Sequence, residues 1–442
     1  MIRSVLLTLF LGCSTRVITV GDMREVAVLS TVYNHDLDVL FVIDNSPSMA
    51  DKQTAMLASF PHMMDQLAHL DGGMPNLHIA VATTDLGTSD TNGGSAPPIP
   101  GSLGGCAGVG DNGALQNPSG MVAGNFISDV SDGTTRQTNY TGTLGDAFMS
   151  IANVGSSGCG FEQPLGAMQR ALATNPSNAG FLRPAANLAI VILADEDDCT
   201  VTDSALFGAD TSTFGPRQSF RCTRFGVTCD DGGADRNEMT QVGTKSECHE
   251  NTTEHYVASI DAFASSLKQL KDDPSKVMVA AIVGDRTPVS TELRLPAGSF
   301  SAIPALAHSC EYTFTDGTDD VADPAVRIGQ FIDQFPGRGA LESVCGPDLT
   351  LPLTHIGLAA KQLMGDPCLP VAVANPAAPS CEVIEDGVEV PACTSAAATN
   401  CFRIVRDAAR CAASPDQLRV ELSRIDAPGA PVYDHVRCVT AP

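Results

Sequence analysis

The predicted fold follows from one stretch of the chain, Asp38-Val39-Leu40-Phe41-Val42-Ile43-Asp44-Asn45-Ser46-Pro47-Ser48-Met49. Its apolar, β-branched part predicts a buried strand over 38–43, and a helical pattern starts directly after Met49. Asp44, Ser46 and Ser48 lie between the two elements. In open α/β sheets, ligands bind at the carboxyl ends of the strands. All three side chains offer the hard oxygen atoms that Mg²⁺, Mn²⁺ or Ca²⁺ prefers. The stretch therefore predicts a divalent cation site at the end of a buried strand.

The pattern of strand followed by helix repeats along the chain. Continuous apolar runs predict further core strands at 77–82, 188–194 and 276–285. Apolar residues at spacings of three and four predict helices at 49–70, 163–173 and 353–364. This alternation predicts an α/β fold with a doubly wound, mostly parallel sheet flanked by helices.

The chain divides into four predicted parts. Residues 1–13 form a signal, 14–35 a tether with a short strand, 36–366 the α/β domain, and 367–442 a cysteine-rich module. Segments rich in Gly, Ser, Asn and Asp predict insertions near 86–157, 196–250 and 285–323. The last part holds six cysteines and predicts a small disulfide-rich β module, whose pairing the sequence leaves open.

Charge and cysteine content limit the possible partners and compartments. The 442 residues include 26 Lys and Arg against 51 Asp and Glu, which gives a net charge of −25. Such a field repels nucleic acid, so we expect no nucleic-acid partner. Setting Cys13 apart leaves 14 of the 15 cysteines, an even number that suits disulfides and an oxidising compartment.

The amino terminus resembles a bacterial lipoprotein signal. A positive end is followed by the apolar run Val5–Leu11, too short to span a bilayer, and then by Leu11-Gly12-Cys13. The resemblance implies lipidation of Cys13 and anchoring in the bacterial cell envelope, with the outer membrane as the expected site. Plain secretion is the alternative.

The motif Asp44, Ser46, Ser48 resembles the metal-ion-dependent adhesion site (MIDAS) of von Willebrand factor type A (VWA) domains. Asp195, directly after the run 190–194, matches the aspartate that this family carries after its fourth strand. Together with Cys159-Gly160-Phe161-Glu162-Gln163-Pro164-Leu165, these stretches resemble a cysteine-rich subgroup of bacterial lipoproteins. The resemblance covers roughly 36–366 and implies a divalent cation held by Asp44, Ser46, Ser48 and Asp195.

The family usually supplies one more ligand, a threonine, from a second loop. Here that loop reads Gly155-Ser156-Ser157-Gly158-Cys159, so the further candidate donors are Ser156, Ser157 and Glu162. Three more residues are expected near the ion or in contact with its ligands, and they follow two of the predicted strands: Thr84, Asp85 and Glu196.

These features predict a surface-anchored, adhesion-type lipoprotein that binds a protein partner through a carboxylate on the ion. The first alternative is an envelope scaffold in which the ion site is vestigial. The second is a metal-dependent hydrolase, for which Glu162 and Glu196 are the only candidate bases. No nucleophile elbow, phosphate-binding loop or zincin motif is found, so we expect no enzyme and name no catalytic residue.

Overall fold

The computed structural model describes residues 23–441, except 31–33, 71, 89–105, 107, 297–299, 316, 413 and 426–431. The predicted signal, Cys13 and the first part of the predicted tether lie outside the described residues. The strands are, in chain order, β1 (Met23–Ser30), β2 (Asp36–Ile43), β3 (Asn76–Thr83), β4 (Ile127–Ser131), β5 (Arg136–Thr138), β6 (Asn187–Leu193), β7 (Val227–Asp231), β8 (Gly243–Glu250), β9 (Val277–Val283), β10 (Val289–Arg294), β11 (Ile303–Leu306), β12 (Cys310–Thr313), β13 (Asp319–Ala322), β14 (Gly339–Ser343), β15 (Cys381–Glu385), β16 (Val388–Val390), β17 (Cys401–Arg406), β18 (Leu418–Ser423) and β19 (Tyr433–Val439). The α-helices are α1 (Ala50–Ala68), α2 (Leu144–Ala152), α3 (Pro164–Gln169), α4 (Thr211–Phe214), α5 (Phe220–Gly226), α6 (Ile260–Lys268), α7 (Val326–Asp333) and α8 (Thr350–Leu363).

The largest sheet has seven strands in the order β14-β9-β6-β2-β3-β4-β5. The first five are parallel to one another, whereas β4 pairs antiparallel with both β3 and β5. The sheet is therefore mixed, with a parallel centre. Every residue of β6 and β9 is buried, as expected for central parallel strands built from continuous apolar runs.

Both faces of this sheet carry a buried apolar layer, because successive side chains of a strand point to opposite faces. On one face, Val39 and Phe41 belong to a cluster that includes residues of α1, α2 and α8. On the other face, Leu40 and Val42 belong to a cluster that includes residues of α3, α6 and α7. Helices thus cover both faces of the sheet. A ligand site is therefore expected at the carboxyl edge of the strands.

The carboxyl-terminal part contains small β sheets held by disulfides. One sheet has the order β1-β19-β15-β16, and β17 pairs with β18. The three disulfides of this carboxyl-terminal part are Cys368–Cys411, Cys381–Cys438 and Cys393–Cys401. The expected disulfide-rich β architecture is confirmed here.

Part of the predicted tether has a structural role in this small sheet. β1 covers the strand expected near 26–29 and pairs antiparallel with β19. Val26, Ala27 and Leu29 are buried in the same apolar cluster as Val383 and Val436. Burial of these side chains holds 23–30 against the end of the chain.

All cysteines of the described residues are paired, which confirms the expected disulfides. Four further bonds tie down the segments between the core elements: Cys106–Cys159, Cys199–Cys222, Cys229–Cys248 and Cys310–Cys345. Among the described residues, no helix combines the length and apolar character needed to cross a membrane.

Candidate functional site

Three strand ends meet at the carboxyl edge of the large sheet. The backbone N–H of Asp44 donates to Leu193 O at 2.9 Å, and that of Thr84 donates to Ile43 O at 3.1 Å. These bonds extend the parallel pairing of β6, β2 and β3 by one residue. The polar residues that follow each strand therefore lie side by side, as their positions after apolar runs predict.

Asp44 organises the turn between β2 and α1. Its Oδ1 accepts a hydrogen bond from the backbone N–H of Ser46 at 2.7 Å, and Thr84 Oγ1 lies 3.5 Å from the same oxygen. The hydroxyls of Ser46 and Ser48 are 3.1 Å apart. Ser46 is buried and Ser48 is exposed, so this group of oxygen donors reaches from the interior to the surface.

Asp195 is paired with a lysine that the sequence reasoning missed. Lys52 Nζ lies 3.1 Å from Asp195 Oδ2 and also contacts the carboxylate of Asp320. All three side chains are buried. Burial alone would lower the pKa of Lys52, but the two carboxylates outweigh it and hold this pKa above its usual value. Asp195 therefore has one compensating positive charge.

Asp44 and Asp195 each keep one unsatisfied oxygen. Among the described residues, neither Asp44 Oδ2 nor Asp195 Oδ1 has a hydrogen-bond donor, although both atoms are buried. The two side chains lie close enough for the charge of Asp195 to act on Asp44. Two ionised carboxylates only accept hydrogen bonds, so they cannot satisfy each other. Burial, and then the charge of Asp195, raise the pKa of Asp44 well above its usual value. A proton or a cation beside these oxygens would relieve the repulsion between the two carboxylates.

Glu162 and Glu196 add further acidity beside this pair. They lie close enough for the charge of Glu196 to act on Glu162. Burial raises the pKa of Glu162, and the charges of Glu196 and Asp44 raise it further. Burial and the charge of Asp323 raise the pKa of Glu196. The charges of Asp44 and Asp195 also raise the pKa values of both glutamates.

The other predicted donors have different surroundings. Ser156 is half-buried and Ser157 is exposed. Both belong to a loop whose backbone is hydrogen-bonded to the side chain of Gln53. The Gln53 amide donates both to Asp44 O at 2.8 Å and to Gly155 O at 2.7 Å. Asp85 uses its carboxylate within its own loop, where Oδ1 accepts from the backbone N–H of Gly87 at 2.7 Å.

Gly158 brings the second loop against the first. Its N–H donates to Asn45 O at 2.7 Å, and a Cβ at this position would lie only 2.1 Å from Asn45 Oδ1. The Cys106–Cys159 disulfide then anchors the next residue. A side chain at position 158 would therefore force the Asn45 side chain to move, which a sequence pattern alone does not reveal.

The oxygen donors fit a divalent cation in chemical type. Asp44 and Asp195 supply carboxylates, and Ser46 and Ser48 supply hydroxyls, all preferred by hard cations. Within the described residues, no three His, Cys, Asp or Glu side chains form a group that could hold a metal ion. An ion here would therefore depend on the serine hydroxyls.

Sequence reasoning missed three neighbours of the candidate site, namely Lys52, Gln53 and Asp320. Lys52 and Gln53 were predictable as neighbours of the site, because they are polar residues in the first turn of the helix that starts there. Asp320 was not predictable from the sequence, because it belongs to the hairpin of β12 and β13, far along the chain from Lys52.

Comparison with known proteins yields structural likenesses only. No protein-family model and no curated protein matches the chain. Similar solved structures include the conserved hypothetical protein BatB from Bacteroides thetaiotaomicron, at 9% identity and a TM-score of 0.27, covering 74% of this chain and 98% of that one. The pilus adhesin SpaC from Lactobacillus rhamnosus GG has 11% identity and a TM-score of 0.30, with coverage of 91% and 39%. A von Willebrand factor type A structure from Catenulispora acidiphila has 10% identity and a TM-score of 0.19, with coverage of 69% and 66%.

Proposed function

We propose that this protein is an adhesion-type binding protein of the cell surface with a VWA-like, doubly wound α/β domain. Its partner is a protein that presents a carboxylate to a divalent cation. Asp44, Ser46, Ser48 and Asp195 would hold the cation, either Mg²⁺, Mn²⁺ or Ca²⁺. One observation carries the proposal: Asp44 and Asp195 lie close enough for their charges to interact, and each has a buried oxygen without a donor among the described residues.

Each residue has a distinct role in this proposal. The two carboxylates would supply the charge that attracts the cation, and the uncharged hydroxyls of Ser46 and Ser48 would leave it able to attract a further anion. Ser48 is the exposed member of the set. The partner's carboxylate would therefore reach the cation from the side of the site on which Ser48 lies. Thr84 and Gln53 would keep the turn of Asp44 in place through the contacts described above.

The domain organisation and the location belong to the same proposal. Residues 36–366 would form the binding domain, and 367–442 together with β1 would form the disulfide-rich module. The seven disulfides fit an oxidising compartment. Lipidation of Cys13 would anchor the protein in the bacterial envelope.

The test is calorimetric titration of the purified protein with Mn²⁺, Mg²⁺ and Ca²⁺, comparing the wild type with Asp44→Asn. This variant keeps the shape of the side chain and removes one ligand charge. Asp65→Asn is the matched control, since Asp65 is exposed near the end of α1. We expect stoichiometric binding to the wild type and the control and none to Asp44→Asn. Equal binding by all three would refute the site.

A second function, an envelope scaffold with a vestigial ion site, is favoured by Lys52. Its ammonium already lies 3.1 Å from Asp195 Oδ2, so it can serve as the cation of the site. A folded wild type that binds no divalent cation would support the scaffold and exclude metal-dependent binding.

A further inference from the structure

The carboxyl-terminal module contains a cleft of about 640 Å³ that the proposed function leaves unused. One wall is formed by residues of the β15–β16 hairpin. The other wall comes from the start of β17 and the end of β18, with Asn400, Cys401 and residues 422–425. This volume lies within the roughly 300–1,000 Å³ of ligand pockets in proteins. The cleft can therefore hold several side chains of a partner.

The cleft lies where β16 and β17 separate. After β16, the Cys393 N–H donates to Phe402 O at 2.8 Å, and the Phe402 N–H donates to Pro391 O at 3.0 Å. Within the part of the chain that the structure describes, Val388–Val390 pairs with β15 alone. β16 is thus the last strand of its sheet, and one side of its backbone carries N–H and C=O groups without a strand partner. This open edge can pair with an added strand.

The side chains of β16 alternate between apolar and acidic. Val390 lies opposite Val383, which is fully buried. Because successive side chains of a strand point to opposite faces, Val388 shares the face of Val390, and Glu389 lies on the other face. Residues directly opposed on neighbouring strands stabilise the pairing when both are apolar or when their charges are opposite. An apolar, a basic and an apolar residue in succession would therefore match β16 best.

The far wall of the cleft extends its apolar surface. Leu422 packs against the same apolar cluster as Val390. Val388 and Ile425, on opposite walls of the cleft, are 69% and 68% exposed. Exposed apolar side chains that are grouped together and rimmed by polar residues are typical of a protein-binding surface.

The charged groups of the cleft are mainly acidic. Arg424 is the one cation among its lining residues that the structure describes. It is already paired with Glu385 and with Asp434, whose carboxylate accepts at 2.9 Å. Asp386 and Glu389 have no ion-pair partner among the described residues. This excess of negative charge attracts a basic group and disfavours a second copy of the chain, whose net charge is −25.

We infer that the cleft binds an extended segment of a partner protein in which a basic residue lies between two aliphatic residues. The segment adds to the open edge of β16, where backbone pairing supplies affinity and alternate side chains supply specificity. Its basic side chain lies beside Glu389, and its aliphatic side chains pack beside Val388, Val390 and Leu422. This recognition goes beyond the proposed function, because it uses the carboxyl-terminal module and needs no metal ion.

The test measures binding of capped peptides to the protein by saturation-transfer NMR in the presence of a chelator. The probe is acetyl-Thr-Val-Lys-Val-Thr-amide, called the Lys peptide. The Glu peptide replaces its lysine with glutamate, and we expect it to bind about fivefold more weakly or worse, because like charges directly opposed destabilise strand pairing. A Lys peptide with N-methyl groups on its three central residues should not bind, since it cannot donate hydrogen bonds to β16.

Substitutions at one position of β16, with a matched control, locate the contact. Glu389→Gln should weaken the Lys peptide roughly twofold to fivefold, because it removes one cross-strand pair of opposite charge. Glu389→Lys should reverse the preference, so that the Glu peptide binds more tightly than the Lys peptide. Glu311→Lys, at an exposed position of β12 outside the cleft, should keep the wild-type preference. A reversed preference cannot result from misfolding, which would only abolish binding.

Several outcomes would overturn the inference. These are absence of binding of the Lys peptide to the wild type, equal binding of the Lys and Glu peptides, undiminished binding of the N-methylated peptide, and a preference that survives Glu389→Lys. A wild type that is dimeric by sedimentation and binds no peptide would assign the edge of β16 to a second copy. Because every measurement is made in chelator, these failures are independent of the proposed ion site.

Discussion

Replacing Lys52 with methionine tests the electrostatic account of the site most directly. In the native protein the Lys52 ammonium contacts the carboxylates of both Asp195 and Asp320, and its side chain is only 3% exposed. Methionine keeps the apolar length of the side chain and removes the charge. The substitution leaves two buried carboxylates without their cation.

The structure sets the expected size of the effect. Removing one partner of a buried ion pair costs about 3–5 kcal/mol, because the remaining charge stays buried and uncompensated. We therefore expect Lys52→Met to lose about 3 kcal/mol or more of unfolding free energy in the presence of a chelator. A divalent cation on Asp195 would replace the missing charge. At a concentration of about 100 times its dissociation constant, a bound ion contributes about 2.7 kcal/mol, so Mn²⁺ should restore most of the loss.

The assay is urea unfolding followed by far-ultraviolet circular dichroism, since the chain has no tryptophan for fluorescence. Each variant is measured with chelator and with Mn²⁺. Lys276→Met is the control, because Lys276 pairs with Asp272, whose side chain is 72% exposed, and such surface pairs contribute about 0–1 kcal/mol. If both variants lost equally little in chelator, the account of the buried pair would be refuted. If Mn²⁺ stabilised the wild type more than Lys52→Met, competition between the ammonium and the ion would be excluded.

Three further outcomes follow from the geometry. Burial and nearby charge raise the pKa of Glu196 to about 8. The folded state therefore favours the protonated carboxyl. The stability that depends on this proton is fully present below the ordinary pKa of 4.5 and is lost as the pH rises through about 8. Stabilisation by Mn²⁺ should therefore grow across that window in thermal unfolding, and a flat profile would contradict the coupling. Gly158→Ala should cost about 1 kcal/mol, because the added Cβ would lie 2.1 Å from Asn45 Oδ1 and the buried Asn45 side chain must move; unchanged urea unfolding would show that Asn45 moves aside at no cost. Replacing both Cys381 and Cys438 with serine should cost about 2–5 kcal/mol, since their bond closes a separation of 57 residues, and thiol titration of the native protein should find neither of them free.

The local sequence was sufficient for the central strands and for the core of the candidate site. Runs of apolar, β-branched residues indicate burial on both faces, and β2, β6 and β9 lie where those runs predict. Parallel strands place their carboxyl ends at one edge, in keeping with the family resemblance that assigns Asp44 and Asp195 to one site. For Ser156 and Ser157 the sequence leaves the position open, because the course of an irregular loop depends on what it packs against.

The sequence by itself determined which segments are buried, where polar residues end the strands, and that the cysteines form disulfides. Only the tertiary structure decided which distant segments meet. It pairs β1 with β19, selects one set of disulfides, and brings Asp320 to Lys52. The physical reason is that periodicity and composition record whether a side chain prefers apolar surroundings or water. They do not record its partner, which depends on packing over the whole chain and on the cancellation of buried charges.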